Sequence, residues 1–145
     1  MEFYAKPFNE LTTTQLYEIL RSRAQIFMLE QRIVCQDMDR VDYDSYHLFL
    51  EENKEVVAYM RAFYSPTLPQ TVCLGRVLSV QHGVGIGKTL MKKGLAFIRE
   101  NMPCERILIH SQQHAVGFYE KFGFVATSEP FLEEGVWHVE MELTY

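Results

Sequence analysis

The spacing of apolar residues changes repeatedly along this chain, and each change marks an element. A short strand is predicted at Phe3–Lys6. Thr12-Thr13-Thr14-Gln15 has the form of a capping box, and Leu16, Ile19, Leu20, Ala24 and Phe27 follow at helical spacing, which predicts an amphipathic helix. His47–Glu51 and Glu55–Tyr64 read as strands joined by a turn at Asn53-Lys54, with Thr71–Val80 as a third long strand beyond the Pro66/Pro69 loop. Met91, Leu95, Ile98 and Met102 share one face of a helix that stops before Pro103. Gly94 inside it costs about 1 kcal/mol relative to alanine, which points to close packing of helix on sheet. Glu105–His110 is a strand, Gln113–Phe122 a short helix closed by Gly123, and Trp137, Val139, Met141 and Leu143 alternate along a last strand. This order predicts an α/β fold, a mixed and largely antiparallel sheet with helices on both faces, in one domain spanning 1–145.

The junction between the third long strand and the next helix is His82-Gly83-Val84-Gly85-Ile86-Gly87-Lys88-Thr89. Alternating glycines let a backbone approach a ligand closely, and the free N–H groups of a helix's first turn attract phosphate. Three ligand classes compete: a nucleoside triphosphate, a dinucleotide and the pyrophosphate of coenzyme A. Gly87-Lys88-Thr89 matches the end of G-x-x-x-x-G-K-S/T, yet His82 stands at the first glycine, and the strand Arg106–His110 ends without a magnesium-binding aspartate. A dinucleotide fold needs G-x-G-x-x-G and a doubly wound sheet, but these glycines run G-x-G-x-G and too little chain flanks them.

Composition narrows the partners. The 145 residues suit one domain, long enough to bury about 70 per cent of its unfolded surface. Although 48% of residues are apolar, no run approaches the ~20 needed to span a bilayer. No signal peptide pattern opens the chain, so no membrane association and a cytoplasmic location are expected. A net charge of −5 without a basic stripe argues against nucleic acid and suits a cationic amine. Cys35, Cys73 and Cys104 lack C-x-x-C spacing, which favours free thiols over a disulfide framework and gives no support for a zinc or other metal site.

With these elements placed, the chain resembles the GNAT superfamily of N-acetyltransferases over nearly its whole length. That family opens the helix after its fourth strand with R/Q-x-x-G-x-G/A; here Gly85-Ile86-Gly87 occupy the glycine places and His82 replaces the first residue. A second block, Gln112-Gln113-His114-Ala115-Val116-Gly117-Phe118-Tyr119-Glu120-Lys121-Phe122-Gly123-Phe124, is similar to N-x-x-A-x-x-F/L-Y-x-K-x-G-F, with Gln112 in the asparagine place. Arg23 to Gln31, Gln36-Asp37-Met38-Asp39 and Phe131 to His138 resemble the ElaA-like branch, although the link from Gly75-Arg76-Val77 to the glycine loop is shorter here.

The resemblance implies acetyl-CoA as co-substrate, with Gly83, Val84, Gly85, Ile86, Gly87 and Lys88 on its pyrophosphate. Backbone around Val77, Leu78 and Ser79 would hold the pantetheine arm and polarise the thioester carbonyl, and Gln112 and Tyr119 would also contact the cofactor. Gly75 sits inside the strand, as glycine does at a bulge or bend. Tyr119 occupies the family's general-acid position; a phenol with an ordinary pKa near 10 is protonated at neutral pH and can donate to a departing thiolate. The general base is open among Glu30, Asp37, Asp39 and His110. Asp37, Asp39, Asp42 and Asp44 read either as a solvated loop or as an amine-recognition patch, with the amine entering beside Glu30, Asp37 and Asp39. His47, His114 and His138 read as structural, and His82 as capping or lining the phosphate loop. The expected activity is acetyl transfer to a primary amine of a small molecule or peptide; the rival is a non-catalytic acyl-CoA-binding module of the same fold. A homodimer is compatible with the sequence.

Overall fold

A computed structural model describes residues 1–144. Eight strands form one sheet: β1 (Glu2–Pro7), β2 (Tyr46–Glu52), β3 (Glu55–Tyr64), β4 (Thr71–Ser79), β5 (Arg106–Gln112), β6 (Val125–Ala126), β7 (Phe131–Glu133) and β8 (Val136–Thr144). Their order is β1-β2-β3-β4-β5-β8-β6, with β7 also paired to β8. Every pairing is antiparallel except β4 with β5. The sheet is therefore mixed and largely antiparallel, as the element order predicts.

Local chemistry accounts for most boundaries. The Thr12 side chain accepts from the Gln15 amide and the Gln15 side chain reaches back to the Thr12 amide, so both halves of the capping box start α1 (Thr13–Arg23). Asn53 and Lys54 both adopt positive φ, 53° and 65°, the two-residue turn whose twist matches a hairpin. Helix α2 (Ile86–Asn101) ends before Pro103. Two elements differ from expectation. The first helix widens after Arg23 into a π-helical stretch, Ala24–Glu30, which turns Phe27 and its neighbours round the axis. The predicted helix at 113–122 is a 3-10 turn, Gln113–Ala115, followed by the single short helix α3 (Val116–Glu120), and Gly123 closes the segment at φ 97°.

Alternation along the strands gives the sheet two apolar faces. Leu48, Leu50, Met60, Val72, Ile107 and Met141 pack beneath Leu90, Met91 and Ile98 of α2. On the opposite face, Phe49, Val56, Tyr59 and Leu78 meet Ile19 of α1 and Ile26. Trp137, in phase with buried Val139 and Met141, is instead 52% exposed, because it lies on the β7–β8 hairpin opposite Leu132. All three cysteines are free thiols. No helix among the described residues is long and apolar enough to cross a membrane.

Gly94 marks the closest approach of α2 to the sheet: a Cβ there would overlap the Met60 methyl group. Gly94→Val is expected to lower the unfolding free energy by about 2 kcal/mol through overpacking. In a Met60→Ala background the same change should cost less, since the branched side chain fills vacated volume. Urea unfolding of the four proteins checks this; equal costs in both backgrounds would mean that Gly94 does not make room for Met60.

Candidate active site

The one parallel pair is also where the sheet opens. β4 and β5 are in register only from Thr71–Leu74 against Arg106–Ile109, and beyond that they no longer pair with each other, β4 keeping only β3 and β5 only β8 as neighbours. The amide of Val80 donates to Val57 on β3, so strand alternation turns the N–H and C=O of Ser79, and of Val77, toward the gap. A cavity of about 570 Å³ fills the opening.

A bulge sends β4 away from β5. Tyr59 faces Leu78 and Arg61 faces Gly75, so β4 takes three steps where β3 takes two. The residue that departs from strand geometry is Arg76, at φ 53°, rather than the expected Gly75. A Cβ on Gly75 would lie 3.8 Å from Arg61 Nε, an ordinary contact, so neither space nor φ demands glycine there. What holds Arg76 in the left-handed region is its guanidinium: Nε donates to Asp37 Oδ1 at 2.8 Å and Nη2 to the Asp37 carbonyl at 3.0 Å.

The same loop residues bind two further arginines. Arg23, fully buried, donates to Asp37 Oδ2 at 3.0 Å and to Asp42 Oδ1 at 2.7 Å. Arg61 meets both oxygens of Asp39, at 2.8 and 2.7 Å, and Asp42 Oδ1 at 3.0 Å. Three guanidinium groups thus neutralise three carboxylates. Burial alone would raise the Asp39 carboxyl, but the hydrogen bonds and charge of Arg61, with the Val41 amide and Arg76, outweigh it and bring it down to about 2. Asp42 is lowered in the same way, Arg23 and Arg61 overcoming its burial. Asp37, Asp39 and Asp42 are therefore not a solvated loop, and Asp37 and Asp39 border the cavity as partners of arginine. Beneath them His47 donates from Nε2 to the Asp42 carbonyl and accepts the Tyr59 hydroxyl at Nδ1, and burial keeps its pKa low.

Tyr119 and His110 both line the cavity, from opposite faces of the sheet. Tyr119 packs with Phe118 and Phe124 in the α2-side core, and burial raises its hydroxyl pKa. No other described residue hydrogen-bonds that hydroxyl. His110 is half-exposed and its Nδ1 lies 2.9 Å from Glu133 Oε1. His138, expected to be structural, borders the cavity, with Nε2 3.7 Å from Glu133 Oε2. Gln112 donates to Gln31 at 2.8 Å, joining the end of β5 to the loop that follows the π-helical turn.

The glycine loop lies next to this cavity. Gly83 and Gly85 adopt φ 78° and 79°, and Gly85 starts α2 with no side-chain cap, leaving first-turn amides open. Gly87 abuts Phe118, the neighbour of Tyr119. Between the glycines Val84 is exposed, whereas Ile86 packs into the core beneath α2. His82 lies in the loop as expected, 2.8 Å from Glu30 Oε1, which places Glu30 beside the loop instead of on the cavity wall. Residue pattern alone did not signal Glu133; its alternation with Phe131 on a three-residue strand was the available clue.

Comparison with known proteins agrees with this geometry. The family model described as Acetyltransferase (GNAT) domain matches residues 18–145. Protein ElaA of Escherichia coli is 34% identical over 137 residues, covering 92% of this chain and 90% of ElaA. The crystal structure of E. coli ElaA superposes with a TM-score of 0.90, covering 98% of each chain. An acyl-CoA N-acyltransferase from Pseudomonas aeruginosa superposes with a TM-score of 0.89 at 29% identity, covering 99% of this chain and 100% of that one.

The buried arginine–aspartate network sets the stability at low pH. Asp39 and Asp42 titrate below the ordinary 3.8, so their contribution is complete above that pH and is lost as pH falls below it, for Asp39 toward about 2. His47 titrates below the ordinary 6.5, so the unfolded chain takes up a proton that the folded one refuses, and stability declines as pH drops below 6.5. The melting temperature should therefore fall in two stages, and His47→Gln should flatten the first. Asp42→Asn leaves two buried guanidinium groups short of charge and is expected to cost about 3–5 kcal/mol at pH 7 in denaturant unfolding.

Proposed function

The chain belongs to the acetyltransferase (GNAT) domain family, whose fold serves acyl transfer from acyl-CoA, and on that premise we propose that it moves an acetyl group from acetyl-CoA to a primary amine of a small molecule or peptide. One observation carries the reading: a cavity at the splayed strands has a buried phenol on one side, an imidazole on the other and a glycine cradle beside it. The cradle, Gly83 to Lys88, takes the pyrophosphate on open helix amides, with Lys88 adding a charge. The pantetheine arm follows β4, where the N–H and C=O groups of Val77 and Ser79 replace the hydrogen bonds that β5 would have made, with Leu78 between them facing β3. Gln112 closes the far side of the gap.

Transfer then needs two protons taken from the nitrogen and one given to the sulfur. His110 accepts a proton from the ammonium, freeing the nitrogen lone pair to attack the thioester carbon. A β4 amide stabilises the oxyanion of the tetrahedral intermediate. As the C–N bond forms and the C–S bond breaks, Tyr119 gives its proton to the sulfur, the nitrogen gives up its second proton, which restores the Tyr119 phenol through solvent, and His110 releases the first to solvent. The raised pKa of Tyr119 keeps its proton in place at neutral pH. Glu30 at the loop and Asp37 and Asp39 beside Arg76 border the amine's approach, and their own hydrogen bonds favour His110 as the base. With Asp37 and Asp39 neutralised, Glu133 and Glu134 supply the negative potential that favours a cationic amine.

Incubation with acetyl-CoA and a panel of amines should release free CoA thiol; binding without release would identify an acyl-CoA-binding module instead, and faster release from a longer acyl-CoA would correct the acyl group. Gly85→Asp puts a carboxylate in the cradle at positive φ and should abolish acetyl-CoA binding in calorimetry. Tyr119→Phe should lower kcat about 10²-fold while the KM for acetyl-CoA is kept, since the ring remains and only the donor is lost. His110→Ala should lose a comparable factor.

A further inference from the structure

We infer that Glu133 is a positioning residue: from the β7–β8 hairpin it selects the Nδ1–H tautomer of His110 and so leaves Nε2 unprotonated for the acceptor amine. This rests on the reading of His110 as general base. Glu133 Oε1 lies 2.9 Å from His110 Nδ1, and a carboxylate can only accept, so the imidazole proton belongs on Nδ1. Nε2 then carries the lone pair and has no hydrogen-bond partner among the described residues, on a ring that lines the cavity.

Three further contacts support this arrangement. Alternation puts Phe131 and Glu133 on one face of β7, and Phe131 meets the His110 ring edge-on at 5.2 Å, restricting its rotation while Glu133 restricts its tautomer. The second oxygen of Glu133 faces His138 Nε2 at 3.7 Å. His138 Nδ1 lies 2.7 Å from the Val136 carbonyl and must donate to it, so neutral His138 presents only a lone pair to Glu133. Glu133 is thus left to His110. Finally, Phe131 faces His138 in the register of β7 with β8, and β8 pairs along the whole of β5, so the hairpin holds Glu133 at a fixed offset from His110.

The proton balance is simple. Nε2 of His110 takes one proton from the ammonium, the imidazolium keeps Nδ1–H on Glu133, and the carboxylate stays ionised throughout. A purely structural Glu133 would hold the hairpin by its hydrogen bond, and glutamine, being isosteric, would preserve that. Tautomer selection predicts the reverse. The glutamine amide can donate to Nδ1, which drives the proton to Nε2 and blocks the base.

The test uses the full chain in two measurements. Long-range nitrogen–proton NMR of the imidazoles, with His110→Gln to assign the signal, should show Nδ1–H in the parent and a shift toward Nε2–H in Glu133→Gln. In acetyl-CoA turnover with a reactive amine from the panel, Glu133→Ala and Glu133→Gln should each lower kcat about 10²-fold, with glutamine no better than alanine and the KM for acetyl-CoA unchanged. In a His110→Ala background Glu133→Gln should have no further effect. Parental turnover in Glu133→Gln, or a His110 tautomer that does not respond to it, overturns the inference while a loss in His110→Ala keeps the base in place. Parental turnover in His110→Ala overturns the reading of the base and the inference with it.

Discussion

Asp37 accepts hydrogen bonds from two arginines on different elements, and the open site depends on that clasp. Arg23 ends α1 on one side, and Arg76 is the left-handed residue of the β4 bulge on the other. A non-glycine residue at positive φ costs free energy that the strand cannot recover by itself. The charge-assisted bonds of Arg76 offset it, and once β4 is bent its last residues lie beyond the reach of β5. Removing any one charge would leave its partners buried and uncompensated, which is why the cluster acts as a unit. Its overall neutrality matters as well: Asp37 and Asp39 border the cavity yet, held by arginines, add little net field there.

From that opening follows the separation of the phenol and the imidazole that line it. Tyr119 rises from the α2 side, where burial keeps it protonated, and His110 from the side that α1 leaves uncovered beyond β4. The gap between the splayed strands is thereby lined by a phenol on one face and by an imidazole on the other. The glycine loop meets the Tyr119 segment through the contact of Gly87 with Phe118. The short β7–β8 hairpin, marginal as a strand pair, reaches His110 through Glu133 and Phe131.

Residue types with local causes were legible from the chain. The Thr12 capping box, the Asn53-Lys54 turn, the glycine loop before α2, the packing glycine at position 94 and the Tyr119 block each act within a few residues of themselves, so spacing suffices to recognise them. The π-helical turn at Ala24–Glu30 was not legible, because its helical period hardly differs over one turn. Gly75 drew attention as a bulge residue on backbone permissiveness alone, whereas the bulge fell on Arg76 because a distant carboxylate holds it.

The sequence by itself determined the alternation that gives the sheet two faces, the order of the elements, and a glycine loop opening a helix; acyl-CoA and the part of Tyr119 were implied by the resemblance to the GNAT family. The alternation, the order and the loop depend on backbone preference and on apolar period, which are local. Only the tertiary structure decided which acidic residues are occupied and which histidine has a carboxylate partner. Asp37, Asp39 and Asp42 are paired with Arg23, Arg61 and Arg76, and His110 is separated from Glu133 by more than twenty residues of chain. Electrostatic partnership is set by distance in space, and the chain carries no period that reports it.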